Sequence, residues 1–567
     1  MPYDFDNVPR FDLGLTMAGA ISAGAYTAGV LDFLVEALDA WEAGKLAGDP
    51  GAPLHAVGLR VVSGASAGSI CGAILAAALR YDFPHVRLSD KSRCAANPLF
   101  DSWVNMIDIR YLLEDRDILK GQEPVSLLDS TRLLEIARKA IDYGEGIPTI
   151  QRAYLGEPTR FIFTLTNLRG VPFRLTLSSG GSYGQDMSKH GDCMRFAVTG
   201  VGRAGPSAIR PDEYPLSFPA TGTPKWSTWG PQFATAALAS AAFPVGLAPR
   251  ELARQVTDYE HIQVVVPEGG GQPAQLRTLQ PAWNTVNPKP AGAYRFANVD
   301  GGTIDNEPME LARIELCDGD PRERSPRDGK EAIRAVVMID PFVGPEKAGP
   351  HDLSELNVLK SALSMFSALK NQARFKPEDV AMAADDTIYS RFLIAPARDG
   401  ALADNSAYSI ACGSLGGFGG FLSQAFREHD YFLGRRNCQR FLERHLTLPE
   451  ENKLFKGWNA DQRNLFRLVK TRQDGMGSVE LPIIPLMRHL HPETGQVEAS
   501  PVWPKGSCDP AKLEEPIRFR LNALYDGFVS GARGLLMTLG WYFYLRPKIM
   551  KFTNEAIRKQ LGDHGLL

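Results

Sequence analysis

The run Gly58-Leu59-Arg60-Val61-Val62-Ser63-Gly64-Ala65-Ser66-Ala67-Gly68-Ser69-Ile70-Cys71-Gly72-Ala73-Ile74-Leu75-Ala76-Ala77-Ala78-Leu79 decides the fold. Residues 58–63 carry Leu59, Val61 and Val62 in a short apolar stretch, the pattern of a buried strand. Gly64 to Gly68 then fits Gly-x-Ser-x-Gly, with only small residues around the serine. Such a turn is tight enough to lift one serine oxygen clear of the backbone. Residues 67–79 are apolar on nearly every side, so this helix belongs in the interior, under or beside a sheet.

The flanks repeat the same grammar. Residues 11–16 read as a strand, 17–23 as a small-residue loop and 24–43 as a helix. In that helix Val30, Leu31, Leu34, Val35, Leu38 and Trp41 recur at helical spacing, with Asp32, Glu36 and Asp39 elsewhere on the wheel. Strand, loop, helix, strand, turn, helix predicts an α/β fold with a mainly parallel central sheet flanked by helices. Further on, 160–166 and 172–177 read as a strand pair around a turn at Gly170. Residues 233–242 read as a small-residue helix stopped by Pro244, and 295–300 and 334–340 as two more apolar strands. The polar stretch 318–330 is an exposed connection. Beyond 342 the patterns become long and helical (353–369, 418–445, 516–561), which divides the chain into a core over 8–343 and a mostly helical extension over 344–567 packed on it.

Bulk properties exclude several function classes. The 567 residues hold 62 Lys+Arg against 65 Asp+Glu, a formal net charge of -3, so no general field favours nucleic acid. Seven cysteines occur without a CxxC pair, which fits reduced thiols rather than a disulfide framework or a zinc site. The first eleven residues carry acids and prolines and no apolar core, unlike a secretory signal. The late apolar run 535–545 is broken by Gly540 and falls short of the ~20 residues that span a bilayer. It reads as helix core, with an acyl chain or a membrane surface as the other face it could present. A cytoplasmic protein is expected, with any membrane contact peripheral.

Ser66 is the candidate nucleophile, and the Ala67 N–H, at a helix N-terminus, is poised near a developing oxyanion. A second Gly-x-Ser-x-Gly match, Gly180-Gly181-Ser182-Tyr183-Gly184, lies in a Ser/Gly-rich loop with no helix after it, so Ser182 reads as a turn serine. A serine needs a base, and none of the ten histidines stands in a suitable context. His351, His429, His489 and His491 read as surface or structural residues. Asn298-Val299-Asp300-Gly301-Gly302 ends a strand, with Asn306-Glu307-Pro308 beyond it. Its carboxylate could take the serine proton directly, and the glycines would let backbone and substrate approach closely. Asp318-Gly319-Asp320 starts like a calcium loop, but Pro321, Arg322 and Arg324 spoil the ligand pattern, so no metal is expected.

Ser66 in its elbow, Ala239-Ser240-Ala241-Ala242-Phe243-Pro244, and the Asp300-Gly301-Gly302 turn followed by Asn306 and Pro308 together resemble the patatin-like phospholipases over about residues 11–343. The late segment from Gly416-Gly417-Phe418 to Leu433-Gly434-Arg435-Arg436-Asn437 resembles the tail of some bacterial members. The resemblance implies a three-layer patatin-like fold and a lipid acyl hydrolase whose Ser66–Asp300 dyad works without histidine or cofactor. It further implies motif-supporting roles for Gly24, Gly64, Gly68, Gly301 and Gly302, and an oxyanion hole built from Gly19, Ala20, Ile21 and Ala67. The family's glycine-rich GGGx[RK]G loop is altered here to Gly19-Ala20-Ile21-Ser22-Ala23-Gly24. Backbone donors survive such changes, although a β-branched isoleucine at positive φ is costly. Two other readings stay open: a catalytically impaired patatin-like membrane-binding or effector protein, favoured by the altered loop, and a Ser–His–Asp esterase or thioesterase drawing on a histidine such as His429.

Overall fold

Strands β1 (Arg10–Met17) and β2 (Ala56–Gly64) are buried along almost their whole length, as near-continuous apolar runs in a parallel sheet require. The computed structural model describes residues 4–567 apart from 120–121, 177–183, 221, 269–272, 343–351, most of 353–380, 384, 400–407, 472–474, 476, 493–494 and 530–539. The long strand β3 (Leu155–Thr176) lies parallel to β2, β4 (Gly184–Thr199) antiparallel to β3, and β5 (Glu213–Ser217) parallel to β4. Strand β6 (Arg250–Gln255) pairs with β7 (Ala293–Asp300), and β7 in turn pairs antiparallel with β3. On the far side of β1 lies β8 (Arg334–Ile339) and beyond it β9 (Arg391–Ile394), both parallel, completing a nine-stranded, mainly parallel sheet.

The topology explains how residues 234 positions apart can meet. Strand β2 ends with Gly64 opposite Phe163 of β3, and β7, running the other way, ends with Asp300 opposite Leu165. The two strand ends therefore face each other along one edge of β3, about two residues, or roughly 7 Å, apart.

Helices close both faces. Helix α1 (Gly24–Ala47) and α2 (Ala67–Ala78) pack on one side, and α5 (Met309–Leu316) covers Val61, Ile162, Val336 and Met338 on the other. Between them in the chain come α3 (Thr131–Ile141) and the short α4 (Thr235–Ser240). Helix α6 (Gln424–Arg444) from the extension lies across α1, so closely that a Cβ on Gly29 would come within 1.8 Å of the Tyr431 carbonyl. At that crossing the fully buried Arg435 pairs with Asp32 and Glu36 of α1 and with Glu498. Burial pushes the Asp32 carboxyl up, but Arg435 and His85 pull it further down, well below the usual carboxylate range. Residues Ile21–Ala47 form the one helical run among the described residues long and apolar enough to cross a membrane, and 89% of its most apolar stretch is buried inside the protein.

Two expectations need correction. The segments 160–166 and 172–176 are not hairpin partners but parts of one strand, β3; Gly170, at φ 75°, marks an irregularity in the pairing with β4 between Thr166 and Val171, and residue 177 lies outside the described residues. The mostly helical stretch beyond residue 343 also supplies β9 to the central sheet and a separate three-stranded sheet of Thr447–Pro449, Leu468–Thr471 and Gly477–Pro482. The run 535–545 does not end as helix core, because Phe543, Tyr544 and Leu545 are exposed; 535–539, like most of 353–369, lie outside the described residues. All seven cysteines are free thiols.

Candidate active site

Ser66 sits between β2 and α2 at φ 52°, ψ -122°, a backbone conformation that only a closely braced turn maintains. The flanking glycines allow the tight approach: a Cβ on Gly68 would lie 2.3 Å from the Met17 carbonyl. A chain of hydroxyls holds the elbow. The Ser66 N–H donates to Ser240 Oγ (3.0 Å), Ser240 and Ser69 hydroxyls are 2.8 Å apart, and Ser69 Oγ donates to the Gly64 carbonyl (2.8 Å). Because the Ser69 proton goes to Gly64, the Ser240 proton must go to Ser69. All three are buried.

Ser66 Oγ donates to Asp300 Oδ2 at 2.6 Å, a short charge-assisted contact. The other oxygen, Oδ1, accepts from the Gly302 N–H at 2.7 Å, which fixes the carboxylate plane. The Asp300 N–H donates to the Ala242 carbonyl (2.9 Å) and its carbonyl accepts from Thr166 Oγ1 (2.9 Å). Asn298 Nδ2 ties the same strand to the Ala239 carbonyl of α4 (2.9 Å). Gly301 cannot be larger, since its Cβ would lie 2.2 Å from the Thr164 carbonyl.

Gly19, Ala20, Ile21, Ser22, Ala23 and Gly24 link β1 to α1. The Gly19 N–H, expected among the oxyanion donors, instead donates to the Asn306 carbonyl at 3.2 Å. Gly19 serves by its lack of a side chain: a Cβ there would lie 2.3 Å from Asn306 Oδ1 and 3.1 Å from Ser66 Cβ. No acceptor among the described residues takes the N–H of Ala20, Ile21 or Ala67. Ile21 does adopt positive φ, 48°, a conformation that costs a β-carbon residue roughly 1–2 kcal/mol. The extension holds it there. Ser22 Oγ donates to the Gly417 carbonyl and accepts from the Gly420 N–H (2.9 Å). Arg427 of α6 donates in turn to the Gly420 carbonyl, and Asp430 accepts from the Ala411 and Cys412 N–H groups.

Two cavities meet at Ser66. A smaller one of about 310 Å³ is lined by Gly19, Ile21, Asp300, Thr303 and Asn306. The larger, about 860 Å³ counting the open solvent at its mouth, runs from Ser66 between α2 and α3, past Ile70, Ala73 and Ile74 on one side and Leu133, Ile136 and Ala137 on the other. Apart from Ser66, Ser102 and Trp103 its walls are aliphatic or phenyl side chains, including Phe421 of the extension. Neither cavity is lined by a histidine. His429 is interior rather than on the surface: it is buried in α6, with Nδ1 2.7 Å from Asp430 Oδ1. Ser182 and His351 lie outside the described residues. Asp318 is paired with Arg60, and Asp320 with Arg322, so both carboxylates answer to arginines.

Sequence reasoning assigned no role to Ser69, Ser240 or Ser22. Ser240 lies in the Ala-Ser-Ala-Ala-Phe-Pro motif, but its partner is 174 positions away, and Ser22 meets residues almost 400 positions away. Only the fold brings them together.

The patatin-like phospholipase family model matches residues 15–313 of the chain, the stretch that contains the elbow, the Asp300 turn and the loop after β1. An uncharacterized protein of Sinorhizobium fredii (strain NBRC 101917 / NGR234), y4iI, is 39% identical over 591 residues, spanning 98% of this chain and 82% of its own length. By the family-model match, which covers more than half of its length, the chain belongs to the patatin-like phospholipase family.

Proposed function

We propose that the protein is a serine lipid acyl hydrolase, an esterase of the phospholipase A or lysophospholipase type, working through a Ser66–Asp300 dyad. The observation that carries this is the 2.6 Å Ser66–Asp300 contact at the mouth of a long apolar cavity. An ester whose acyl chain fills the cavity brings its carbonyl to Ser66 Oγ. As Oγ attacks, its proton passes to Asp300 Oδ2, and the carbonyl oxygen gains negative charge. The N–H groups of Ala20, Ile21 and Ala67, which have no other acceptor, are the donors for that oxyanion. Collapse of the tetrahedral intermediate expels the alcohol, which takes the proton from Asp300, and leaves the acyl group on Ser66. Water then attacks the acyl-enzyme, giving its proton to Asp300, and Oγ leaves with that proton restored. The Gly302 N–H and the strand pairing of β7 hold the carboxylate still through both halves.

On this proposal residues 8–343 form the acyl hydrolase core and 344–567 an extension that braces it. The test is release of fatty acid from phosphatidylcholine vesicles, with fluorophosphonate labelling in parallel. Wild type should release fatty acid and become labelled, and Ser66→Ala should do neither. Absence of both release and labelling in wild type would sink the proposal.

A further inference from the structure

The last two described helices of the chain present a surface that nothing in the active site uses. Helix α7 (Glu514–Phe528) and α8 (Arg546–Asp563, preceded by the π-helical stretch Trp541–Leu545) pack side by side, with Tyr525 stacked on Trp541 at 4.6 Å. The far half of α8 is seated on the protein through Ile557 and Leu561. Its near half is not. Phe543 is 78% exposed, Tyr544 62%, Leu545 51% and Phe552 74%, and on α7 Phe519 and Phe528 are also exposed.

The charge pattern selects the occupant. From 541 to 554 the sequence is WYFYLRPKIMKFTN, which holds Arg546, Lys548 and Lys551 and no acid; the next acid along α8, Glu555, lies 3.9 Å from Lys551 in an exposed pair. Lys548 lies over the Tyr544 ring at 3.9 Å and Arg546 over the Tyr542 ring at 4.7 Å. Rings with cations beside them match the interfacial zone of a bilayer, where aromatic side chains sit at headgroup depth and cations meet anionic lipid. A protein partner would need acids and a shaped apolar surface, whereas Phe543, Tyr544 and Phe552 stand 62–78% exposed.

Helix α7 also connects to the mouth of the active site. Arg520 of α7 donates to the Leu127 carbonyl (2.8 Å), and the Leu127 N–H donates to the Val245 carbonyl (2.8 Å). Val245, 70% exposed, follows Phe243 and Pro244, which line the smaller cavity at Ser66 and Asp300. Along this path Leu119, Val125 and Leu127 are exposed as well.

We propose that the near half of α8, with the exposed phenyl groups of α7, is a docking surface for a bilayer rich in anionic lipid, seating the mouth beside Val245 on the membrane. The proposal rests on the lipid hydrolase reading for its purpose but not for its test. Sedimentation with large unilamellar vesicles is the measurement, using phosphatidylcholine alone or with about 30 mol% phosphatidylglycerol, where each cation near the surface adds severalfold to binding. Wild type should bind the anionic vesicles on the order of a hundredfold more tightly than the neutral ones, with three cations contributing. Phe543→Ser/Phe552→Ser should lose binding to both. Lys548→Gln/Lys551→Gln should lose the anionic preference. Both variants should hydrolyse a soluble butyrate ester as wild type does, since neither touches the site. Wild type that stays in the supernatant with anionic vesicles overturns the proposal, as do variants that sediment like wild type. Self-association in solution that Phe543→Ser/Phe552→Ser abolishes also overturns it, by making the face a contact between copies. If no variant and no wild type hydrolyses the butyrate ester, it is the hydrolase reading that fails, and the vesicle result stands by itself.

Discussion

Replacing Ala73 with phenylalanine should convert the enzyme from one that favours longer acyl chains into one indifferent to chain length. Ala73 lies on the face of α2 that carries Ile70 and Ile74 along the large cavity. It is seven residues beyond Ser66, so at the helical rise it stands roughly 10 Å from the nucleophile, about the reach of an eight-carbon acyl chain. Each methylene buried along that path contributes about 0.8 kcal/mol, close to fourfold in kcat/KM. For wild type, p-nitrophenyl esters from butyrate to octanoate should therefore rise by about two orders of magnitude. A phenyl ring at position 73 fills the middle of the cavity, so butyrate should be unaffected and octanoate should fall back to the butyrate level. The ring enters empty space, so the cost of overpacking should remain at or below about 1 kcal/mol, checked by the thermal midpoint. Equal losses on butyrate and octanoate would refute the assignment of this cavity to the acyl chain, and so would an unchanged chain-length slope.

Three further outcomes follow from the same contacts. Ser22→Ala removes the clamp on the strained Ile21 and should lower kcat on the butyrate ester by about tenfold, less than deleting an oxyanion donor outright, with KM little changed; a shifted thermal midpoint with unchanged kcat would mean that Ser22 is only structural. His55 is buried with Nε2 2.8 Å from the Ile483 carbonyl and Nδ1 accepting from Trp458 Nε1, and burial pushes its pKa down to about 3. The unfolded chain binds a proton near pH 6.5 and the folded one does not, so stability is full above that pH and should fall by about 2 kcal/mol between pH 7 and 5. Urea unfolding of His55→Gln should lack this component, and an identical pH dependence in the variant would contradict it. Arg435→Met strands Asp32, Glu36 and Glu498 without their shared cation and should destabilise by about 3–5 kcal/mol in urea, whereas a loss under about 1 kcal/mol would mean the network is dispensable.

The parts of this molecule legible in its sequence are those encoded by neighbours. Strand β2, the elbow and α2 form one contiguous stretch, and the Asp300 turn is announced by two adjacent glycines, although what crowds them is Thr164 across the sheet and the side chain of Asn306. Gly170 misled because a glycine at positive φ serves a strand irregularity as well as a hairpin, and only pairing partners tell the two apart. The oxyanion loop was half legible. Its position follows from the motif, but the positive φ that Ile21 adopts and the diversion of the Gly19 N–H to Asn306 are seen only in the structure. The extension was the least legible, because its work is done at long range: β9 on the sheet edge, Arg435 beneath α1, Gly417 and Gly420 around Ser22. The exposure of Phe543 and Tyr544 likewise depends on which half of α8 finds a partner.

The central claim is that Asp300 is the base for Ser66. It is tested most directly by kcat/KM for Asp300→Asn beside wild type and Ser66→Ala on the butyrate ester. The amide keeps the shape and the Gly302 hydrogen bond but cannot take a proton, so the predicted loss is roughly 10³-fold, with fluorophosphonate labelling slowed to match. Activity within about tenfold of wild type, while Ser66→Ala is inactive, would contradict the dyad and place the base elsewhere.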